Sequence, residues 1–443
     1  MKKKIKNLIL FDYYENDPLG ILYDWIRTKS PSETMVIKHL GYIPYCKSGI
    51  YRLKNDNLQK IFFKKIRIKL IIIFLKFKGY KIVDLDKKLF KNSFKKKSST
   101  SSLTKSIKKE ILRDFVCHKD KQFSFLDLRV NNIYESFNKS IKDTHNNYEN
   151  AFEEIINTNN IKNAYIFNGR SLRQKVISNL LKKYFIEVKY VERNLWNMGR
   201  TVCSKDRVHS FKYLQEDKCR DYGISKYDIG IEELIKNKIG KDWSKMHTES
   251  FNVFNNKRRT ISYLAGSSDE YLAFTEEIML KDCSSQLEIV KRISEICFVN
   301  NLNFILRVHP NTRTKNKLDI DFWNNIGEYI ISKNQSFYSS SSNINTYSII
   351  DFSDLIITNG STVTVESCLK GKNVCLCGFN GLRNYNCTFI PKNLKQLEDL
   401  IKNTKKKDRD TIVNDAKRYI FDELEAGRVL KYYSMGKRRF KFF

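Results

Sequence analysis

Two separated segments carry side chains suited to holding an anionic oxygen. The first is Arg307-Val308-His309-Pro310-Asn311, which closes an apolar run of Phe304, Ile305 and Leu306. The second is Asn359-Gly360-Ser361-Thr362, which follows Leu355-Ile356-Ile357 and precedes a stretch with Glu366. A Gly/Ser/Thr loop that opens a helix offers free backbone N–H groups, two hydroxyls and the positive end of a helix dipole, a combination that suits a phosphate. Glu366, one turn into that helix, is placed to reach a sugar hydroxyl on the same ligand. His309 adds an imidazole donor. A His-Pro after a strand is often only a turn, so His309 gains its functional reading from its pairing with the Gly360-Ser361-Thr362 start. Arg307 either adds charge there or is a strand-end residue.

Strands and helices must bring these pieces together. A short apolar run feeding a polar loop and a helix is the pattern of a buried parallel strand in an α/β domain. Gly371 is expected to end the helix that carries Glu366, and Val374 to Gly378 to form the next strand. The same logic recurs along the chain: a strand over Lys6–Phe11 leads into the loop beginning at Asp12, and a strand from Ala164 ends in Asn168-Gly169-Arg170. Another strand, Ile186–Glu192, carries a carboxylate at its end. Asp12, Arg170 and Glu192 are thereby expected at the carboxyl edge of a parallel sheet, where open α/β sheets hold ligands; alternatively Arg170 and Glu192 simply pair with each other. A fresh strand over Thr260–Gly266, with Ser267-Ser268-Asp269-Glu270 after it, opens a second unit. The helix expected between Ser284 and Val299 and the strand at Phe304–Val308 continue it. Ser339–Ser342 reads as a loop, and Asp84-Leu85-Asp86 as a surface turn rather than a metal-binding DxD.

A chain of 443 residues fits two domains of ordinary size. With 81 Lys and Arg against 49 Asp and Glu, the formal charge is +32, which attracts anions such as acidic lipids or nucleotide-linked substrates. A Lys- and Asn-heavy solvated surface accounts for a large share of that excess. No RNP, zinc-finger or helix-turn-helix signature accompanies the charge, so nucleic acid is not an expected partner. Ten cysteines without C-x-x-C spacing read as reduced, mostly buried thiols of a cytoplasmic protein. The apolar run Leu70–Leu75 is too short to span a bilayer. Arg52–Tyr80 alternates bulky apolar residues with Lys and Arg. An anionic membrane surface is one reading, which would make the protein peripheral on the inner face of the membrane. A core helix with water-facing lysines is preferred, because apolar residues fill more than one face.

Two α/β units, the second with a phosphate-like pocket, fit a GT-B-like architecture: two Rossmann-type parallel-sheet domains facing a cleft. Residues 1–255 are expected to form the acceptor-side domain, 256–425 the nucleotide-sugar domain, and 426–443 a basic tail. The segments Arg307–Asn311, Ile349–Thr358 and Gly360-Ser361-Thr362-Val363-x-x-Glu366-x-x-x-x-Gly371-Lys372 resemble the capsule polysaccharide biosynthesis family, glycosyltransferases of bacterial surface polysaccharides that include Kdo transferases. The resemblance runs from about Ala164 to the C-terminus. It implies a nucleotide-sugar donor, CMP-linked for a Kdo-type transfer with UDP and GDP left open, and a glycan or glycolipid acceptor. It places His309 on the donor phosphate with Arg307, Asn359, Gly360, Ser361 and Thr362, and Glu366 on the ribose. Asn168, Gly169, Arg170, Ser267 and Ser268 would line the substrate side, and Glu192 or Asp12 would be the base that takes the acceptor proton. Metal-independent chemistry without a further cofactor is expected. A glycerophosphate or other phosphoalcohol transferase, or a sugar-nucleotide epimerase, is the alternative on the same fold.

Overall fold

The computed structural model describes residues 5–11, 16–39, 58–87, 148–169, 172–194, 199–205, 258–266, 280–283, 285–314, 317–378, 380–403, 405–434 and 439–441. Asp12, Arg170, Ser267 and Ser268 lie outside them, as does the expected boundary at 255/256. The chain divides into two units, residues 1–208 with 425–443, and residues 209–424.

The first unit is built on strands β1 (Asn7–Phe11), β2 (Thr34–Lys38), β3 (Lys81–Asp84), β4 (Asn163–Phe167), β5 (Glu187–Arg193) and β6 (Arg200–Ser204). Its helices include α1 (Asn16–Arg27), α2 (Leu58–Phe77) and α3 (Leu172–Lys183), with residues 148–157 also helical. The strands run β3-β2-β1-β4-β5 in parallel, and β6 then pairs antiparallel with β5. Successive side chains of a strand point to opposite faces, so the sheet feeds two cores. Leu8, Leu10, Ala164 and Ile166 pack against Ile177 and Leu181 of α3 on one face. Ile9, Phe11, Tyr165 and Phe167 pack against Leu22 and Ile26 of α1 and Ile71 and Leu75 of α2 on the other.

Residues 426–443, expected as a basic tail, join this unit. Strand β12 (Arg428–Val429) adds to β6, and β13 (Tyr433–Ser434) pairs with β14 (Arg439–Phe440). Asp24, fully buried on α1, fastens the segment by accepting from the Arg428 guanidinium and from the backbone N–H groups of Lys431 (2.7 Å) and Tyr432. A carboxylate held by several donors is a strong staple.

The second unit contains β7 (Thr260–Leu264), α4 (Gln286–Val299), β8 (Asn303–Arg307), α5 (Lys317–Ser332), β9 (Ser336–Tyr338), α6 (Thr346–Phe352), β10 (Leu355–Thr358), α7 (Thr362–Leu369), β11 (Val374–Leu376), α8 (Leu394–Lys402) and α9 (Arg409–Glu425). Its five strands are all parallel, in the order β11-β10-β7-β8-β9. Both faces are covered, by α4, α5 and α8 over Tyr263, Leu306 and Ile357, and by α6 over Ile305 and Ile356. That double cover explains why the strands read as unbroken apolar runs. Gly371 ends α7 as expected: its φ is +71°, and the N–H groups of Gly371 and Lys372 return to the carbonyls of Cys368 and Ser367. Six of the seven described cysteines are buried thiols, and no described helix is long and apolar enough to cross a membrane. The fold class is α/β, with a mostly parallel sheet in the first unit and an all-parallel, doubly wound sheet in the second.

Candidate functional site

In the second unit the strand order reverses between β7 and β10, which makes that crevice the switch point at which open α/β sheets bind ligands. Register sets the levels of the strand ends. Leu264 pairs with Arg307 on one side and Thr358 on the other. His309 and Asn359 therefore leave the same edge of the sheet at similar height. One strand lies between their parent strands, so the backbones are about 10 Å apart, two strand spacings. The two segments singled out in the sequence thus share one edge.

Asn359 is fully buried, and among the described residues neither its side-chain oxygen nor its side-chain nitrogen has a hydrogen-bond partner. A buried unsatisfied polar group costs about 1–3 kcal/mol, so this amide is a standing penalty at the switch point. The α7 start beside it is also unmet. Ser361 is the N-cap, extended at φ −70° and ψ 171°, yet its hydroxyl caps no backbone N–H. The Thr364 N–H is taken by the Ser361 carbonyl at 3.0 Å. The N–H groups of the first turn before it find no acceptor among the described residues, and Thr362 projects into solvent. The loop after β11 closes over this start: Asn380 Nδ2 donates to the Gly360 carbonyl at 2.7 Å. Gly378 allows the closure, because a Cβ there would stand 2.2 Å from the Asn359 carbonyl oxygen.

Cations gather at the same edge. Arg383, half-buried in that loop, donates to the Gly378 carbonyl at 3.3 Å, and burial pulls its pKa down. Arg307 is buried at 2% exposure, and its guanidinium donates to the carbonyls of Ser339 and Ser342 (3.3 Å for the latter). Burial, then the nearby Arg313 charge, lowers its pKa to about 10, so it stays cationic at neutral pH. Arg307 therefore braces the 339–342 loop while adding positive potential behind His309. His309 is half-buried and its carbonyl accepts from the Thr312 N–H at 2.9 Å, which closes the turn around Pro310.

Glu366 lies one turn into α7 and accepts from the Tyr347 hydroxyl at 3.0 Å. Burial raises its pKa, with the tyrosine bond opposing that shift. Tyr347 had no signal in the sequence. Its role appears only because α6 and α7 pack on one sheet face.

In the first unit the switch point lies between β1 and β4. Asp12 follows β1 directly in the chain, and Asn168 and Gly169 follow β4 in left-handed conformation at φ 60° and 70°. Glu192, next to last in β5, is 5% exposed, and its Oε1 accepts from the Arg193 N–H at 3.2 Å. At the far edge the reading of Asp84-Leu85-Asp86 as a surface turn is corrected: Asp84 ends β3 and binds Lys38 at 2.8 Å, while Leu85 is fully buried. Asp86 meets His39 Nδ1 at 2.6 Å, and His39 Nε2 bonds Tyr148. His39, which no spacing singled out, is fully buried between them.

No family model matches the chain, and no curated protein matches its sequence. Among solved structures it is similar to KpsC, a beta Kdo 2,7 transferase, from Thermosulfurimonas dismutans, at 13% identity and TM-score 0.36, covering 62% of this chain and 88% of that one. It is also similar to a putative UDP-N-acetylglucosamine 2-epimerase from Listeria monocytogenes, at 12% identity and TM-score 0.28, covering 97% and 92%. A UDP-GlcNAc 2-epimerase from Methanocaldococcus jannaschii gives 13% identity and TM-score 0.28, covering 91% and 93%. Likeness at this level leaves the activity to be argued from the residues.

Proposed function

We propose that the protein is a glycosyltransferase that moves a sugar from a nucleotide-sugar to a glycan or glycolipid acceptor of a bacterial surface polysaccharide. The observation that carries this reading is the orphaned Asn359 amide beside the uncapped start of α7, at the switch point of a parallel sheet. A phosphorylated ligand seated there would meet the free N–H groups of the first turn, and the Asn359 amide would gain its missing partners by turning toward it.

In the reaction the acceptor oxygen bonds to the anomeric carbon as the carbon–oxygen bond to the donor phosphate breaks. The bonding pair stays on the phosphate, where charge rises. The α7 start, the Ser361 and Thr362 hydroxyls and His309 stabilise that charge, and Glu366 takes the ribose hydroxyls in place of Tyr347. The acceptor proton must pass to a base, and the carboxylates the sequence offers for that task are Asp12, which follows β1 in the chain and lies outside the described residues, and Glu192, which is buried.

A second reading, a sugar-nucleotide epimerase, uses the same donor pocket but leaves the nucleotide attached. Phosphorus and proton NMR of CMP-, UDP- and GDP-sugars incubated with the full chain separates the two. Transfer releases free nucleotide only when a glycan or glycolipid acceptor is present. Epimerisation inverts a ring carbon without acceptor and without nucleotide release, and that result would replace the transferase reading.

A further inference from the structure

Helix α2 has two apolar faces, and among the described residues one of them packs and the other is exposed. Ile68, Ile71 and Leu75 are buried against the first sheet. On the opposite side Ile66, Leu70, Ile73 and Phe77 are 36%, 55%, 62% and 83% exposed. At 100° per residue these four fall within an arc of roughly 60°, forming one continuous stripe along the helix. Such clustering differs from the single exposed apolar residues that any surface carries.

The charges are arranged around that stripe. The helix sequence holds six Lys or Arg and no Asp or Glu. Lys69 and Lys76 flank the stripe on one side and Arg67 and Lys78 on the other, and the three lysines are exposed. Long basic side chains beside an apolar stripe place their stems along it and their ammonium groups at a polar boundary. The core-facing side anchors the helix to the sheet, so this element cannot leave the fold to insert. It cannot span a bilayer either, since no described helix is apolar and long enough.

We propose that the exposed face of α2 is a membrane-docking surface, with Ile66, Leu70, Ile73 and Phe77 entering the headgroup boundary of an anionic bilayer and the flanking basic residues meeting its phosphates. Charge complementarity selects this occupant: a helix with six basic residues and no acidic one repels a second copy of itself, and the whole chain carries +32. The inference stands apart from the donor pocket, which lies in the other unit.

The test is co-sedimentation of the full chain with vesicles of phosphatidylcholine alone and of phosphatidylcholine mixed with anionic phosphatidylglycerol, whose negative surface potential attracts basic segments. Wild type is expected to sediment with the anionic vesicles and to be released by 0.5 M salt, where the Debye length falls to about half its physiological value. Leu70→Ser/Ile73→Ser, which keeps every charge, is expected to lose at least about tenfold in partitioning. Lys69→Glu/Lys76→Glu, which keeps the stripe, is expected to lose as much on anionic vesicles. Circular dichroism and melting temperature confirm that each variant folds. Wild type that stays in the supernatant, or folded variants that bind like wild type, overturns the proposal. So does a wild-type dimer in light scattering that Leu70→Ser/Ile73→Ser converts to monomer, which would assign the stripe to a second copy.

Discussion

Thr362 offers a way to remove one phosphate donor without removing a helix. It is the first residue of α7, and the preceding Ser361 is already extended at φ −70° and ψ 171°. Both conditions suit proline: the first helical position tolerates its fixed φ and missing N–H, and the residue before it must be extended. Thr362→Pro therefore deletes a backbone N–H that has no acceptor among the described residues, along with the Thr362 hydroxyl, and puts ring carbon where a phosphate oxygen would sit. Stability should hold or rise by about 0.4–1 kcal/mol, through a less flexible unfolded chain. A hydrogen bond to a charged group contributes about 1.5–3 kcal/mol, which corresponds to roughly 10- to 150-fold in affinity. Titration calorimetry with the nucleoside mono- or diphosphate that binds wild type is the assay, with chemical denaturation as the control. A Thr362→Pro protein of full stability that binds the nucleotide as tightly as wild type would refute placement of the phosphate at the α7 start.

Other perturbations separate the site from its supports. Glu366 has a raised pKa, so its contribution to stability is present at acid pH and is lost as pH rises from the ordinary 4.5 through the higher folded value. Glu366→Gln should abolish that slope in melting-temperature profiles and be at least as stable as wild type at neutral pH; a wild-type advantage that grows toward neutral pH would contradict the burial argument. Asp24→Asn breaks the charge pair with Arg428 and weakens two backbone bonds, for an expected loss of about 3 kcal/mol in urea unfolding. A loss under 1 kcal/mol would mean the C-terminal strands are held elsewhere. Arg307→Lys keeps the charge but cannot bridge the Ser339 and Ser342 carbonyls with one planar fork. It should cost about 1–2 kcal/mol of stability while changing nucleotide affinity less than Thr362→Pro does; the reverse order would make Arg307 a direct ligand.

Local pattern made much of the fold legible. The apolar runs at Asn7–Phe11, Asn163–Phe167, Thr260–Leu264 and Leu355–Thr358 all became parallel strands, since a run buried on both faces has few other uses. The segments around His309 and Ser361 also stood out, because loops after such strands fall on one edge by topology alone. What escaped were contacts between distant pieces. Arg307 finds its carbonyls 32 and 35 residues away, and Asp24 grips a segment some 400 residues on. No periodicity encodes either one. The segment 426–443 looked like a tail because its strands are two residues each, too short for an alternation to show. The exposed stripe of α2 was hidden for the opposite reason: with apolar residues on two faces, no single amphipathic pattern marks which face the sheet takes.

The central claim is that His309 and the start of α7 hold one and the same phosphate. A double-mutant cycle of His309→Ala and Thr362→Pro tests it most directly, with the free energy of nucleotide binding to all four proteins measured by calorimetry. Groups that share one ligand atom cluster couple, so the two losses should fall short of additivity, or exceed it, by more than about 0.5 kcal/mol. Losses that add within about 0.3 kcal/mol, or a wild type that binds no CMP, UDP or GDP species, would contradict the account.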